Sequence, residues 1–341
     1  MMCCAECFGD RGLRKEIAFR SSVSGTCDYC ESVNVDLINP VDLAVNFEAL
    51  LDSYEFDKNG KSLVFWLKED WFLFAHSKMD NAKVQVLLGD IFDDGELART
   101  PVIPSKQHDP NRLGQWDDLR EELMHENRYF PQKQINLTEL ELLLPRLAIA
   151  SGEFSTIWFR ARIQSGTSAF DASQMKAPPP NVASHGRANP AGIPYLYLGS
   201  KVVTSVSEIR PHTGEVACIA RVSILENLDF IDLRHPRKTV SPFIEGGAED
   251  MAQMRSDLEF LERLGEELTR PVRREAAAFD YTPSQYVCEF IKRCGYDGVI
   301  YRSSVSDGVN LALFDPEKAS IERIDQYAVE KVSVDVSAAF E

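Results

Sequence analysis

Two CxxC pairs near the start of the chain constrain its fold more than any other feature. Cys4 and Cys7 form the first pair, and Cys27 and Cys30 form the second. A CxxC turn presents two thiolates on one side, so two turns at this separation are typical of a tetrahedral zinc site with four cysteine ligands. Such a site has no open position. The expected Zn2+ is therefore structural, and its binding energy stabilises the folded state.

Three other interpretations of the cysteines stay open. Cys3 lies next to Cys4 and can replace it as a ligand, and the cysteines can also be free thiols in a disordered start. A redox-active thiol pair is weakened as an interpretation because neither pair precedes a thioredoxin-like helix. Five of the eight cysteines lie in the first thirty residues, and in a reducing compartment this crowding favours a metal over disulfides.

The charge of the chain limits its partners. Asp and Glu number 53 against 37 Lys and Arg, which gives a net charge of −16. A surface this acidic repels nucleic acids and anionic membranes, so neither is expected as a partner. The longest apolar runs are too short to cross a bilayer, and the N-terminus lacks the charged and apolar regions of a signal peptide. We therefore expect a cytoplasmic protein.

The texture of the sequence predicts three domains and an α+β fold. Residues 1–35 are polar and Cys-rich, and we expect them to form a zinc-binding knuckle. Residues 36–150 repeat apolar positions at helical spacing, which predicts a mainly helical domain. Residues 151–341 alternate short apolar runs with helical patterns, which predicts a domain built on a mixed β-sheet.

Local signals place the elements within these domains. Asn39-Pro40 is typical of a helix start, and the prolines of Thr100–Arg112 indicate a loop. The runs Leu63–Leu67 and Trp71–Ala75 fit either a strand or a buried helix. Helices are predicted after Asn39 and over Ala82–Phe92, Gln115–Arg128, Thr138–Leu144, Val202–Ile209, Ala248–Leu268 and Thr282–Cys294. Strands are predicted over Thr156–Ile163, Pro194–Ser200, Glu215–Ile224, Leu228–Leu233, Gly298–Tyr301 and Val309–Phe314.

Polar side chains collect near the ends of the predicted strands in the last domain. Arg160 and Arg162 lie on one face of a strand. A loop of small residues then leads into the strand that carries Tyr195 and Tyr197, and Glu208 follows in a short helix. The loop and the last two strands add Asn189, Ser303 and Asn310.

This set of side chains suits a dinucleotide. Arginine binds phosphate oxygens through paired hydrogen bonds, and tyrosine offers a flat face to a base and a hydroxyl to a ribose. A carboxylate can bond to ribose hydroxyls and stabilise positive charge at the anomeric carbon, as in glycoside hydrolysis. Each residue also has a structural interpretation, as a solvated strand arginine, a core tyrosine, a surface glutamate or a turn serine.

Several segments in order resemble the RES domain family, which is named for Arg, Glu and Ser. They are FRAR, GRANPAGIPYLYLGS, SEIRP, YTPSQYVCEFIKRCGYDGVIYRSS and NLALFDP, and they cover roughly residues 152–318. The block from Gly186 to Tyr197, followed by Glu208, is the most specific. Ala188 and Ser205–Ser207 depart from the family pattern without removing a reacting group.

The resemblance implies a fold like the compact ADP-ribosyltransferase core and an enzyme that breaks the nicotinamide–ribosyl bond of NAD+. Arg160 and Arg187 would bind the pyrophosphate or an incoming phosphate, and Tyr197 would pack near the nicotinamide ribose. Glu208 would stabilise the cation, and Ser303 would complete the pocket. Arg162, Asn189, Tyr195 and Asn310 are implied as further substrate-binding residues.

Three functions stay open at this point. The first is NAD+ consumption by a bacterial toxin or defence effector, with phosphate as co-substrate in a phosphorylase or water in a glycohydrolase. The second is transfer of ADP-ribose to a macromolecule, and the third is a binding module that senses a nucleotide without turnover. Because many family members are toxins, a helix-turn-helix antitoxin is implied as a partner. A homo-oligomer also fits the sequence.

The first half is similar to the zinc-knuckle and helical segment that precedes some RES domains, which is related to HEPN domains. Some HEPN proteins are ribonucleases with an Arg-x4–6-His motif, and Arg120 and His125 match its spacing. The competing interpretation is that both are exposed residues of an amphipathic helix. We expect this half to be a scaffold, an inhibitory segment or a sensor.

Overall fold

The protein is described by a computed structural model that covers residues 1–105, 112–244 and 248–333. Its internal contacts divide the chain into two compact units, each of which joins segments that are distant in sequence. The domain limits proposed at residues 35 and 150 stay a prediction. Unit 1 comprises Met1–Leu113 and His235–Glu262, and unit 2 comprises Gly114–Arg234 and Arg263–Glu341.

Unit 1 is mainly helical, and side chains cap the start of three of its described helices. The carboxylate of Asp10 accepts hydrogen bonds from the backbone N–H groups of Gly12 and Leu13, which stabilises the start of the following helix. Asp80 caps a second helix through Lys83. The helices are Ala5–Phe8, Arg11–Arg20, Ala44–Leu51, Leu63–Trp71, Asn81–Phe92 and Pro236–Thr239. Two antiparallel pairs complete the unit, Val23–Gly25 with Val35–Leu37 and Tyr54–Ser62 with Pro101–Pro104.

The longer helices of unit 2 follow the predicted positions closely, whereas the short helices Ala172–Met175 and Ala277–Asp280 were not predicted. The helix expected to stop before Pro145 instead continues to Leu147, because a proline in the last turn removes only one late hydrogen bond. The helix Ala248–Thr269 crosses the boundary between the two units in sequence. The helices are Arg112–His125, Leu137–Leu147, Ala172–Met175, Val202–Glu208, Ala277–Asp280 and Thr282–Arg293.

The structure settles one ambiguous region of the sequence and corrects one prediction. Leu63–Leu67 belongs to a helix, since Ser62 accepts a hydrogen bond from the backbone of Phe65 and caps its start. The loop expected over Thr100–Arg112 instead contains the strand Pro101–Pro104. Prolines have no backbone N–H to donate, so a strand that contains them suits the edge of a sheet. The rest of that predicted loop, residues 106–111, lies outside the described residues.

Unit 2 is built on one mixed sheet of eight strands. In chain order they are β1 (Ala148–Ala150), β2 (Ile157–Ile163), β3 (Leu196–Gly199), β4 (Val216–Ile224), β5 (Asp229–Asp232), β6 (Gly298–Arg302), β7 (Val309–Leu313) and β8 (Ala319–Ala328). Their order across the sheet is β8-β4-β2-β3-β7-β6-β5-β1. Only β5 and β6 are parallel neighbours among these strands. The α+β class is therefore confirmed.

Both faces of the sheet are buried along β4. Cys218, Ala220 and Val222 join the larger core on one face, whereas Ala217 and Ile219 belong to a smaller cluster on the other. The helix Val202–Glu208 packs on that smaller cluster through Val202 and Val206. This packing fixes the direction of the helix, and Glu208 is its last residue.

The two outermost strands were not predicted. β8 pairs with β4 from end to end, yet all ten of its residues are exposed or half-buried. A strand at the edge of a sheet does not need the apolar alternation that marks a central strand, and charged residues protect such an edge from further pairing. β1 is too short to show any pattern.

Candidate active site

The sheet of unit 2 opens between β2 and β3, and a cavity of about 440 Å³ is lined by residues of both strands. The two strands pair at one position only, Phe159 with Gly199. At Gly199 a side chain would meet the backbone of Ser205 at 2.8 Å, so glycine is needed for the helix to pass this closely. The opening leaves backbone groups of β3 free to bind side chains.

Arg160 lies in this opening as an unneutralised charge. Its Nη1 donates to the carbonyl oxygen of Tyr197 at 3.1 Å, while its buried Nε has no hydrogen-bond partner among the described residues. Burial, together with the nearby charge of Arg162, lowers the pKa of Arg160 to about 10. Because buried charges are ordinarily paired, a guanidinium of this kind is suited to an anionic ligand.

The other two arginines of the cavity are held in place by the protein. Arg187 donates to the carbonyl oxygen of Arg270 at 2.7 Å, and its guanidinium lies 5.4 Å from the ring centre of Tyr281. Arg162 donates to the carbonyl oxygen of Gln174 and lies over the ring of Phe170. No carboxylate forms an ion pair with Arg160, Arg162 or Arg187 in the part of the chain that the structure describes.

Glu208 is the carboxylate of the cavity, and two neutral donors orient it. Ser303 Oγ donates to Oε1 of Glu208 at 2.7 Å, and Asn310 Nδ2 donates to the same oxygen at 2.6 Å. Both donors act on one oxygen. Within the described residues, Oε2 has no hydrogen-bond partner and can face a ligand.

Tyr197 and Asn189 brace the loop beside the cavity. The hydroxyl of Tyr197 donates to Asn189 Oδ1 at 2.7 Å and accepts from the backbone N–H of Ala188 at 2.9 Å. Burial raises the pKa of Tyr197, so the phenol stays neutral. A side chain at Gly186 would lie 2.6 Å from the Tyr197 hydroxyl, which explains the glycine at this position.

The structure brings together most, but not all, of the predicted site residues. Ser303 and Asn189 do not line the cavity, but they form hydrogen bonds with Glu208 and Tyr197, which do. Tyr195 does not line the cavity; it is a buried residue whose hydroxyl bonds to Glu289 and whose ring packs on Phe314. The predicted residues that line the cavity are Arg160, Arg162, Arg187, Tyr197, Glu208 and Asn310.

Four aromatic rings that line the cavity were not singled out from the sequence, those of Phe159, His185, Tyr281 and Tyr301. Tyr281 and Tyr301 are the first and a late residue of the long segment that resembles the RES family, and that segment was the available signal. Burial raises the pKa of Tyr301 well above its ordinary value. Its uncharged ring adds to the apolar part of the lining, to which Phe159 and Leu198 also belong.

The four predicted zinc ligands form one cluster in unit 1. The Sγ atoms of Cys4, Cys7, Cys27 and Cys30 all lie within 4.8 Å of one another, and the four residues are buried. Four thiolates at ordinary zinc–sulfur distances would have their sulfur atoms roughly 3.8 Å apart, so the cluster fits Zn2+.

Cys3 does not belong to this cluster. It forms an isolated β-bridge with Ile38, with hydrogen bonds of 3.0 and 2.9 Å in the two directions. The Sγ of Cys4 lies 3.5 Å from that of Cys30, and that of Cys7 lies 3.3 Å from that of Cys27. Each CxxC turn therefore faces the other.

Arg120 and His125, which match a ribonuclease motif in spacing, do not form a site together. Arg120 donates from Nε to Glu267 at 2.9 Å and is mostly buried. His125 is half exposed, and its ring packs against Phe279. Arg120 therefore forms an internal ion pair. The interpretation of Arg120 as an exposed residue of an amphipathic helix was wrong.

No helix in the described ranges is long and apolar enough to cross a membrane.

Comparison with known proteins gives one family. The RES domain model matches residues 157–335, which is more than half of the chain. No curated protein matches the sequence. Among solved structures, the crystal structure of the MbcT–MbcA toxin–antitoxin complex of M. tuberculosis has a chain with 11% sequence identity and a TM-score of 0.32. The match covers 56% of this chain and 92% of that one.

Proposed function

Because this chain belongs to the RES domain family, we propose that it is an enzyme that cleaves the nicotinamide–ribosyl bond of NAD+. One observation carries the proposal. Arg160 and Arg162, which have no acidic partner among the described residues, line the same cavity as Glu208. Two neutral donors orient the carboxylate of Glu208. A dinucleotide has the matching chemistry, since it offers anionic phosphates and a ribose that becomes cationic.

The arginines are suited to the pyrophosphate. Arg160 has a buried Nε without a partner among the described residues, and the phosphate oxygens can supply both the hydrogen bond and the opposite charge. Arg187 is already oriented by the carbonyl of Arg270, so its remaining N–H groups can bind without first losing much rotamer freedom. The binding energy then positions the ribose in the cavity.

Glu208 is suited to the reacting ribose. When the bond between the anomeric carbon and the nicotinamide nitrogen breaks, both electrons go to nitrogen, and nicotinamide leaves as a neutral molecule. The ribose keeps the positive charge, and a fixed carboxylate stabilises that charge in a site shielded from water. Ser303 and Asn310 hold one oxygen of Glu208, which directs the other at the substrate.

The acceptor decides the product. Phosphate bonded to the anomeric carbon gives a phosphorylated ADP-ribose, water gives ADP-ribose and a proton, and a protein side chain gives a modified protein. We propose a small-molecule acceptor, phosphate or water. The three arginines support phosphate as co-substrate, since a second anion would find cations in the cavity already.

The remaining assignments are proposals as well. The thiol cluster would hold a structural zinc ion. The enzyme would act in the cytoplasm as a bacterial toxin or defence effector, and a helix-turn-helix antitoxin would bind it. A homo-oligomer is a further proposal. The front half would be a HEPN-like scaffold, and the RES-type core would resemble that of ADP-ribosyltransferases.

The test is an incubation of purified full-length protein with NAD+, with and without inorganic phosphate, followed by mass spectrometry of the products. Nicotinamide release that needs phosphate identifies a phosphorylase, and release without it identifies a glycohydrolase. ADP-ribose attached to protein in the same samples would replace our proposal with a transferase. Tight NAD+ binding without any nicotinamide release would leave a nucleotide-sensing module.

A further inference from the structure

A second cleft adjoins the cavity within unit 2. Its volume is about 380 Å³, and it lies along the segment from Ser173 to Ser184. Arg160 and Arg162 line both spaces. The two spaces therefore meet at a pair of positive charges.

The second cleft is basic although the chain is acidic. Arg160, Arg162 and Lys176 line it, and none of its described lining residues is Asp or Glu. Acidic residues outnumber basic ones by 53 to 37 in the whole chain, so a wall of this composition departs from the average surface. A basic wall raises the local concentration of anions.

The arrangement of the two spaces matches the two halves of a dinucleotide. The pyrophosphate that joins the halves fits the shared arginines, and Glu208 places the nicotinamide ribose in the cavity. The adenosine half is then left for the second cleft. There the ring faces of Pro178 and Pro179 offer apolar surface to adenine, and Ser184 offers a hydroxyl for hydrogen bonding.

The charge of this cleft bears on whether the bound adenosine ribose has a free 2′-hydroxyl, as in NAD+, or a 2′-phosphate, as in NADP+. In Rossmann-type sites a carboxylate holds the ribose 2′-hydroxyl of NAD+, whereas a cation lies near the 2′-phosphate of NADP+, and we apply the same charge argument to this cleft. Here the cation is Lys176. Its Nζ lies 3.5 Å from Glu317, and both side chains are at least half exposed, so the pair is weak and a phosphate can replace the carboxylate.

We propose that the second cleft binds the adenosine half and that Lys176 binds a 2′-phosphate, so that the enzyme cleaves NADP+ at least as well as NAD+. This inference rests on the proposed cleavage activity. It adds a substrate class and assigns a specificity-determining residue.

The test compares kcat/KM for NADP+ and NAD+ in the full-length protein and in two lysine variants. We expect wild type to use NADP+ as well as NAD+ or better. Lys176→Ala should lower kcat/KM for NADP+ by about threefold to fivefold, the upper part of the range for a partly exposed ion pair, and leave kcat/KM for NAD+ within about twofold. Lys201→Ala is the matched control, since Lys201 is equally exposed and pairs with Asp307, but does not line either space.

Two results would overturn the inference while leaving the proposed function intact. One is efficient cleavage of NAD+ with NADP+ more than tenfold worse. The other is an equal loss for both substrates in Lys176→Ala. If neither dinucleotide is cleaved, the proposed function fails, and calorimetry then decides on the cleft alone. Adenosine 2′,5′-bisphosphate should bind more tightly than AMP to wild type but not to Lys176→Ala, and equal binding of both to wild type would refute the inference.

Discussion

Unit 2 contains two buried charged centres that are built in opposite ways. Around Glu267, which is 1% exposed, Arg120 and Arg270 each lie at 2.9 Å and Arg263 lies at 3.7 Å. In the cavity, Arg160 has no ion-pair partner among the described residues. The first centre is neutralised by the chain itself and is structural. The second needs a charge from outside, and this is the mark of a binding site.

The two centres are joined through one residue. Arg270 binds Glu267 through its side chain and accepts a hydrogen bond from Arg187 through its carbonyl oxygen. The paired centre thus holds one arginine of the unpaired centre in position. The difference teaches that ion pairs in this protein can support a site without belonging to it.

The largest effect is expected at the thiol cluster, a third centre that also needs a charge from outside. Removing zinc with a chelator should cost about 10 kcal/mol of folding energy, because four buried thiolates cannot stay together without a cation. We expect one zinc ion per chain by elemental analysis and loss of helical circular dichroism on chelation. Cys3→Ser is the control and should keep the metal. A protein that contains no zinc and keeps its helical signal after chelation would show that the thiol cluster needs no cation from outside.

The next effect is expected at Glu267. Glu267→Gln removes the charge that three arginines share and should destabilise the protein by roughly 3–5 kcal/mol. Glu121→Gln is the matched control, because Glu121 also pairs with Arg120 but is exposed, and its change should stay within about 0.5 kcal/mol. Urea unfolding measures both variants. Equal unfolding midpoints for the two would show that the paired centre is not structural.

The opposite sign is expected for Arg160. Its pKa is lowered from 12.5 to about 10, so at neutral pH the protonated form is retained at a cost to the folded state. Arg160→Met should therefore leave stability unchanged or raise it by up to about 2 kcal/mol, while KM for NAD+ rises about tenfold or more.

Arg221→Met serves as the comparison, since Arg221 lies on an exposed part of β4 and pairs with Glu322. It should alter neither quantity. Thermal unfolding and initial rates test the pair of variants. A large loss of stability in Arg160→Met alone would make Arg160 a structural residue and remove the contrast between the two centres.

The smallest effect is expected behind Glu208. Ser303→Ala removes one of two hydrogen bonds to Oε1, and we expect kcat to fall about threefold to tenfold with little change in KM. Ser306→Ala, which loses a bond to Thr204, should leave kcat unchanged. A change in KM without a change in kcat would mean that Ser303 acts on substrate binding rather than on the carboxylate.

The sequence predicted the central strands and long helices well, because the burial of their inner faces gives them a regular pattern of apolar residues. It also predicted the four cysteines of the cluster, since a CxxC turn is local. The edge strand β8 was missed because exposed positions carry no pattern. Tyr195 was included among the site residues because of the family resemblance, whereas its contacts with Glu289 and Phe314 are tertiary and leave no pattern in the sequence.

Two contacts could not be read from the sequence at all, one in the site and one in the paired centre around Glu267. The opening between β2 and β3 depends on a pairing that ends after one position. The commitment of Arg120 to Glu267 joins residues far apart in sequence. In both cases the deciding contact is long-range, so neither spacing nor composition records it.

The most direct test of the account is the rate of nicotinamide release from NAD+ by Glu208→Gln, measured beside wild type with thermal unfolding of both proteins. The substitution keeps the shape of the side chain and removes its charge. We predict a loss of about 10³-fold in kcat with a melting temperature close to that of wild type. Full activity in Glu208→Gln would contradict the assignment of the cavity as the site of NAD+ cleavage.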